Sequence, residues 1–352
     1  MGGKTDITDR IERPSFAGCT LRSQASSILA SRTRSVSMRS LPLAAWFITC
    51  WNASVSTSQG GMPATGKRKL GYNCVKKVML YHRYTPPPPL RQFVDVIWLY
   101  EGSTLPSHEK ERLLPDGSTE LVFNLAEDKI RLYDRENTNR FQAFCGSVIC
   151  GPHSQFFVID TAEQSAVAGV HFKPGGAFPF LGIPTSQLHN LHVGLDTLWG
   201  ALAAEVRERL LGAKTVEAKL RVIEAALLTV AGGALERHPA VAYALREFAA
   251  APRERRVSDV TDKIGLSARR FIEVFRNEVG LAPKLFCRVR RFQKVLPLIQ
   301  RGKEIDWAEI ALSCGYFDQA HFNHDFRAFS GINPSTYLAV HTPHLNHIPL
   351  AE

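Results

Sequence analysis

The 352-residue sequence predicts an α+β chain: a β-rich sandwich or small barrel with helices after it, then an all-α domain of two helix-turn-helix units. Three observations predict this. Residues 80–185 hold many short apolar runs separated by turn signals, as sandwiches and small barrels do. Residues 195–230 place apolar side chains at helical spacing. Residues 257–283 and 305–334 repeat one pattern: a short helix, a glycine, a longer helix with an aromatic stripe, then a glycine three residues before a proline.

Residues 1–78 carry 12 Lys/Arg against 3 Asp/Glu, with Ser, Thr and Gly abundant and no apolar periodicity. Such a composition cannot bury enough apolar surface to offset chain entropy. The segment reads as a disordered tail or as sequence upstream of the true start, with Met79 the expected start and Met62 the alternative. The apolar patch at 41–51 imitates a signal peptide when read from Met38, but no small-residue cleavage site follows.

A β-rich effector or dimerisation domain is expected over 79–236. Its strands fall at 93–100 (FVDVIWLY), 120–125 (ELVFNL), 129–133, 148–149, 156–159 and 166–172. Pro115-Asp116-Gly117, Gly151-Pro152 and Lys173-Pro174-Gly175-Gly176 mark turns between them. The proline run 86–89 favours polyproline II. Leu195, Leu198, Trp199, Leu202, Val206 and Leu210 fit one amphipathic helix, and Leu220, Ile223, Leu227 and Val230 a second. These stripes either pair between two copies, giving a homodimer, or cover the sheet. Gly232-Gly233 through Pro239 reads as a linker.

The helical domain is expected over 237–340, with 341–352 a tail. In its first unit Gly265 makes the turn and Ser267 caps the next helix. Phe271, Val274, Phe275 and Val279 form the buried side, while Arg269, Arg270, Glu273, Arg276 and Asn277 face out. Residues 282–300 suit a connecting helix that Pro297 should kink or shorten. In the second unit Ala308, Ile310, Ala311 and Leu312 give an apolar face, Gly315 turns and Asp318 caps. Phe322, Phe326 and Phe329 make the buried stripe, opposite Gln319, Ala320, Asn323, His324 and Arg327.

Residues 238–340 hold 16 Lys/Arg and 11 Asp/Glu, whereas the rest of the chain beyond residue 78 holds 15 and 19. Basic charge on the helical module, with short polar side chains on the outer face of each second helix, suits double-stranded DNA. Arg269 matches guanine O6 and N7, Glu273 cytosine N4, and Asn323 or Gln319 adenine. Ile272 matches a thymine methyl. Ser267, Arg270, Arg276, Arg288, Arg290, Arg291 and Arg327 are the expected phosphate contacts, which position without specifying.

Trp98, Arg112, Asp116, Glu120, Asn124, His153, His171 and Lys173 are polar or aromatic residues near strand ends and form the candidate effector pocket. Seven scattered cysteines lack zinc-finger spacing, and Cys145 and Cys150 read as reduced, buried strand residues, with a redox pair the alternative. His189 and His192 suggest a pair on one helix face without a third ligand, so neither a metal nor a cofactor is expected. No run of 18 apolar residues suggests a membrane span.

Residues 240–340 resemble the DNA-binding domain of the AraC family of bacterial transcription regulators. The resemblance is carried by Gly265-Leu266-Ser267, Phe275, Gly280-x-x-Pro283, Ile310-Ala311, Gly315-Tyr316, Asp318-Gln319-x-His321-Phe322, Phe326 and Gly331-x-x-Pro334. Thr261, His324 and Leu338 stand where the family commonly has Ala, Arg and Arg. The family's base-contacting positions fall on Arg269, Ile272, Glu273, Gln319, Ala320, Asn323 and His324. The runs LLPDGSTELVFNL and HFKPGG resemble an uncharacterised N-terminal domain found in the same family. The resemblance implies a cytoplasmic, non-enzymatic transcription regulator of the activator kind. It implies contacts to DNA and RNA polymerase and an unknown small-molecule effector. The residues themselves leave activation and repression equally open. The alternative is a constitutive DNA-binding regulator whose first domain only dimerises or contacts a protein. A methyl-accepting repair enzyme carrying the same module is disfavoured, because Cys145-Gly146 lacks acidic and His partners nearby.

Overall fold

The computed structural model describes residues 80–102, 109–161, 165–232, 235–250, 257–301, 305–342 and 344–350. The expectations for residues 1–78 lie outside them.

The strands are β1 (Leu80–Tyr84), β2 (Val94–Glu101), β3 (Lys110–Leu113), β4 (Glu120–Asn124), β5 (Lys129–Tyr133), β6 (Phe141–Cys145), β7 (Ser147–Cys150), β8 (Phe157–Asp160), β9 (Ala166–Phe172), β10 (His192–Gly194) and β11 (His347–Pro349). They form two antiparallel sheets, in the order β1-β2-β9-β4-β7-β10 and β11-β3-β8-β5-β6. Successive side chains of a strand point to opposite faces, and the first sheet uses both. Ile97, Leu99, Leu121, Phe123 and Ile149 pack on helices, while Trp98, Glu120, Val122 and Val148 face the second sheet. Trp98 lies opposite Gly169 in register, where a β-carbon would collide with the indole.

The helices on the first sheet are α1 (Phe178–Leu181), α2 (Leu195–Trp199), α3 (Ala201–Gly212) and α4 (Val216–Ala231). The single helix expected over 195–210 is two, because Gly200 takes φ 59 and ψ −135, far from helical values. Val206, Leu210, Ile223 and Leu227 are buried with Leu121 and Phe123 in one core. Full burial of such side chains contributes roughly 1.5–3 kcal/mol each. The stripes that could have paired between copies therefore cover the sheet. The proline run also departs from polyproline II: Pro89, at φ −84 and ψ −13, leads into a 3-10 turn at Leu90–Gln92.

The remaining helices are α5 (Pro239–Ala250), α6 (Val257–Ile264), α7 (Ala268–Val279), α8 (Pro283–Arg301), α9 (Trp307–Cys314), α10 (Gln319–Ser330) and α11 (Pro334–Val340). Their core is aromatic. Phe326 lies 5.2 Å from Phe292, 5.7 Å from Phe322 and 5.6 Å from Tyr337, centroid to centroid. Helix α8 runs through Pro297 rather than stopping there. The proline removes one backbone bond near the helix end, while Val295, Leu296 and Ile299, all fully buried, hold the last turns in place.

The segment expected as a tail returns to the β-rich region. Strand β11 pairs antiparallel with β3, with Leu113 opposite His347 and Glu111 opposite Pro349. Glu111 Oε2 meets His347 Nδ1 at 2.6 Å. Leu114 and Ile348 join the helical core. Gln293 of α8 donates to the Pro115 carbonyl at 2.7 Å and to Asn346 Oδ1 at 3.0 Å. Gly280 fits against Pro152 and Gly331 against Phe156, neither leaving room for a β-carbon. The β-rich and helical regions are thus packed together and share a strand.

Candidate nucleic-acid interface

Each unit is built by the same local chemistry. In the second, Asp306 caps α9 by accepting from the Ala308 and Glu309 amides at 2.9 and 3.1 Å. Gly315 turns the chain at φ 88, a left-handed conformation that costs glycine little. Asp318 caps α10, accepting from the His321 amide at 2.7 Å. Phe322, Phe326 and Phe329 are buried, and Gln319, Ala320, Asn323, His324 and Arg327 are exposed on the other face. Helix α9 differs from expectation. Ala311 and Cys314 are buried with Trp307 and Ile310 packed beside them, whereas Ala308 and Leu312 face out. The stripe follows 307, 310, 311 and 314, the true i, i+3, i+4, i+7 set.

In the first unit Gly265 takes φ 66, and Ser267 accepts from the Arg270 amide at 3.3 Å. Phe271, Phe275 and Val279 are buried and Val274 half-buried; Ser267, Arg269, Arg270, Ile272, Glu273 and Arg276 are exposed. Arg270 pairs with Glu273 at 3.0 Å. An exposed pair like this is worth little and exchanges easily for a contact to another partner. Asn277 does not face out: its Oδ1 accepts from Ser186 Oγ at 3.3 Å, on the 3-10 turn Thr185–Leu188. Glu278, which the apolar pattern did not single out, is buried beside Arg237 Nε at 3.2 Å and accepts from the His238 amide at 3.1 Å. Burial pushes its carboxyl up to about 7, against the pull of that amide and of Arg237.

The arginines expected at phosphates divide. Arg270, Arg276 and Arg327 are exposed. Arg288 instead turns inward: it binds the buried Asp325 at 2.6 Å and lies 5.4 Å over the Phe329 ring. Arg291 is half-buried with its guanidinium 5.1 Å over Tyr316, and Arg290 is half-buried.

The eight effector-pocket candidates also divide. A cavity of about 60 Å³ lies between the two sheets, lined by Trp98, Glu120, Asn124 and apolar side chains. Trp98 Nε1 donates to Glu120 Oε1 at 3.0 Å. Burial, and then the charge of Asp116, raise the Glu120 carboxyl well above its ordinary range, with the Trp98 bond opposing them. A second cavity, of about 50 Å³, brings Asp116, Glu120, His153 and His171 together with Asn346 and His347. Arg112 and Lys173 line neither cavity: Arg112 lies 5.0 Å over Phe156, and Lys173 Nζ donates to the Arg91 carbonyl at 2.7 Å. The alternation in β4 and β7 could have pointed to Val122, Val148 and Cys150 as cavity walls. Nothing local could have pointed to Asn346 and His347.

His189 and His192 share no helix face. His189 ends a 3-10 turn and contacts Ser154 Oγ at 2.9 Å, while His192 lies in β10 with its Nε2 3.1 Å from His153 Nε2. Burial keeps both His153 and His192 neutral, and the His192 imidazole is pushed down to about 3. Cys150 is buried as expected, but Cys145 is exposed. Among the described residues no group of three or more His, Cys, Asp or Glu is placed to hold a metal ion. None of their helices is long and apolar enough to cross a membrane.

Residues 82–194 match a family described as a domain of unknown function (DUF6597), and residues 260–339 match a helix-turn-helix domain family. No curated protein matches the chain. Among solved structures, the chain is similar to a probable AraC family transcriptional regulator from Rhodopseudomonas palustris. The two share 27% identity over 29% of this chain and 96% of that one, at a TM-score of 0.27. It is also similar to ToxT from Vibrio cholerae, in a structure with an unsaturated fatty acid bound. There the identity is 12% over 69% of this chain and 94% of that one, at a TM-score of 0.36. The capped, glycine-turned pair at residues 260–339 is a helix-turn-helix domain.

Proposed function

We propose that the protein is a sequence-specific, DNA-binding transcription regulator whose N-terminal domain binds a small-molecule effector. The observation that carries the DNA reading is the repeated contrast across α7 and α10. One side is a fully buried phenylalanine stripe; the other is an exposed set of short polar and basic side chains. In this reading Arg269, Ile272 and Glu273 on α7, and Gln319, Ala320, Asn323 and His324 on α10, read base edges. Ser267, Arg270, Arg276 and Arg327 hold phosphates, joined by whatever reach Arg290 and Arg291 retain. Contact with RNA polymerase, activation, dimerisation and a cytoplasmic location belong to the same proposal.

The effector reading is supported by an apolar-walled chamber with a few convergent polar groups between the sheets, and by the contacts that run from its far side to α8. The second cavity borders Asn346 and His347, next to β11, and Asn346 is bonded to Gln293 in the middle of α8. A change in that cavity is one hydrogen bond from the helix that joins the two units.

Selection of genomic fragments bound by the full chain, followed by sequencing, tests the proposal. A split motif with half-sites about one helical turn apart supports a two-unit reader. Binding without any enriched sequence, weakening only with salt, removes the sequence-specific claim.

A further inference from the structure

We propose that the inter-sheet chamber takes a small apolar cation, an aromatic or aliphatic amine, with its charge against Glu120 and its apolar body between the sheets. This rests on the effector-site reading above and names its ligand class. The walls are apolar: Val122, Leu132, Val148, Phe157 and Val167 line the chamber. Both cavities share Leu113, Glu120, Cys150 and Phe157, so Glu120 stands between the apolar chamber and the polar one. Two carboxyls meet at that neck around one imidazole. His171 Nε2 is 3.3 Å from Asp116, and His171 Nδ1 is 3.9 Å from Glu120.

Among the described lining residues of the two cavities there is no lysine, and the one arginine is Arg131. It alternates with Ile130 and Leu132, whose side chains are buried inward, so its own side chain points to the far face of β5. There its guanidinium lies 3.9 Å from Glu127 and 5.9 Å over Phe141. Among the described lining residues, then, no lysine or arginine side chain lies within 4 Å of either acid at the neck. The other titratable groups around the site are Asp160 on β8, which lines the chamber, Cys150 on β7, Tyr81 on β1 with Arg83 and Asp95 acting on it, and His153 and His347 at the second cavity. Burial raises the thiol and the phenol, so neither supplies positive charge. An anionic ligand would place a further carboxylate beside Asp116 and Glu120 in a desolvated site. An ammonium supplies the counter-charge, gains from the Trp98 and Phe157 rings, and lets Glu120 give up its proton to solvent.

Calorimetry on the full chain with three small molecules of similar shape tests this: butylamine, butanol and butyric acid. The amine should bind about tenfold or more tightly than the acid. Its affinity should rise with pH as Glu120 loses its proton. Glu120→Gln should remove most of the amine's advantage and leave the alcohol unchanged. Should that variant fold poorly, wild-type titrations at mildly acidic pH in buffers of different ionisation enthalpy read the proton released on amine binding. A preference for the acid, an amine preference that survives Glu120→Gln, or no proton release overturns the ligand class. In that event, binding of the alcohol or the acid leaves the effector site standing. Binding of none of the three removes both.

Discussion

The two helix-turn-helix units share their local chemistry and differ in what braces them. Helix α10 is braced from inside the helical domain. Asp325 is held by Arg288 of α8, and Phe326 sits amid Phe292, Phe322 and Tyr337. It meets the β-rich region at its C-terminal glycine, where Phe156 packs. Helix α7 is braced along its C-terminal half by groups before the helical domain or at its entrance: Ser186 on Asn277, Arg237 and His238 on Glu278, and Pro152 on Gly280. The second unit therefore has a position set by its own core. The first has one that the β-rich region can alter.

The largest effect should come from the α10 brace. Phe326→Ala leaves a cavity in the aromatic ladder and should cost about 3–5 kcal/mol by chemical denaturation. Leu312→Ala, on the exposed side of α9, should stay within about 0.5 kcal/mol. Equal costs would mean that the ladder is not the brace.

Arg288→Ala strands the Asp325 carboxylate, which is 1% exposed, and should cost about 3 kcal/mol of stability, less whatever solvent reaches Arg288. Its salt dependence of DNA binding should match wild type. Arg276→Ala should lower that slope by about 1 with little loss of stability. A reduced slope for Arg288→Ala would return Arg288 to the phosphate contacts.

Next, Asn323→Ala on α10 and Arg269→Ala on α7 should each cost about 1–3 kcal/mol on the selected site and relax its sequence. The same loss on random DNA would show that neither reads bases. The smallest effect should separate the two braces by pH. His153 and His192 follow or adjoin the segments that touch α7, and both are neutral in the fold. Their folded pKa values lie below the unfolded value near 6.5, so the unfolded chain binds protons first. Stability should hold above about pH 6.5 and fall as pH drops below it, by at most about 1.4 kcal/mol per pH unit for each histidine. His192→Gln should make that fall shallower. Amide exchange in α7 should rise before that in α10; a simultaneous rise would erase the distinction between the units.

The legible parts were those made within a few residues. Ser267 and Asp318 cap as their positions suggest, Gly265 and Gly315 turn, and the Phe322, Phe326 and Phe329 stripe is buried. Strand β9 falls on the expected residues 166–172. Where reading failed, a distant partner intervened. Arg288 looked like a surface cation until Asp325 came within 2.6 Å. Asn277 looked outward until Ser186 met it. His189 and His192 looked like a helical pair, but their segment is a turn leading into an edge strand against β7.

By itself, then, the sequence determined the α+β class, the two capped units and, Asn277 apart, the exposed sets on α7 and α10. Capping, left-handed turns and side-chain period depend on neighbours within about four residues. The tertiary structure alone decided that residues 347–349 are a strand of the β-rich domain, with Glu111 and His347 bonded across 236 residues. It also decided which of the eight polar candidates share a cavity. Both outcomes turn on which segments lie side by side, and strand pairing is chosen by the burial of the whole sheet rather than by any one strand's own residues.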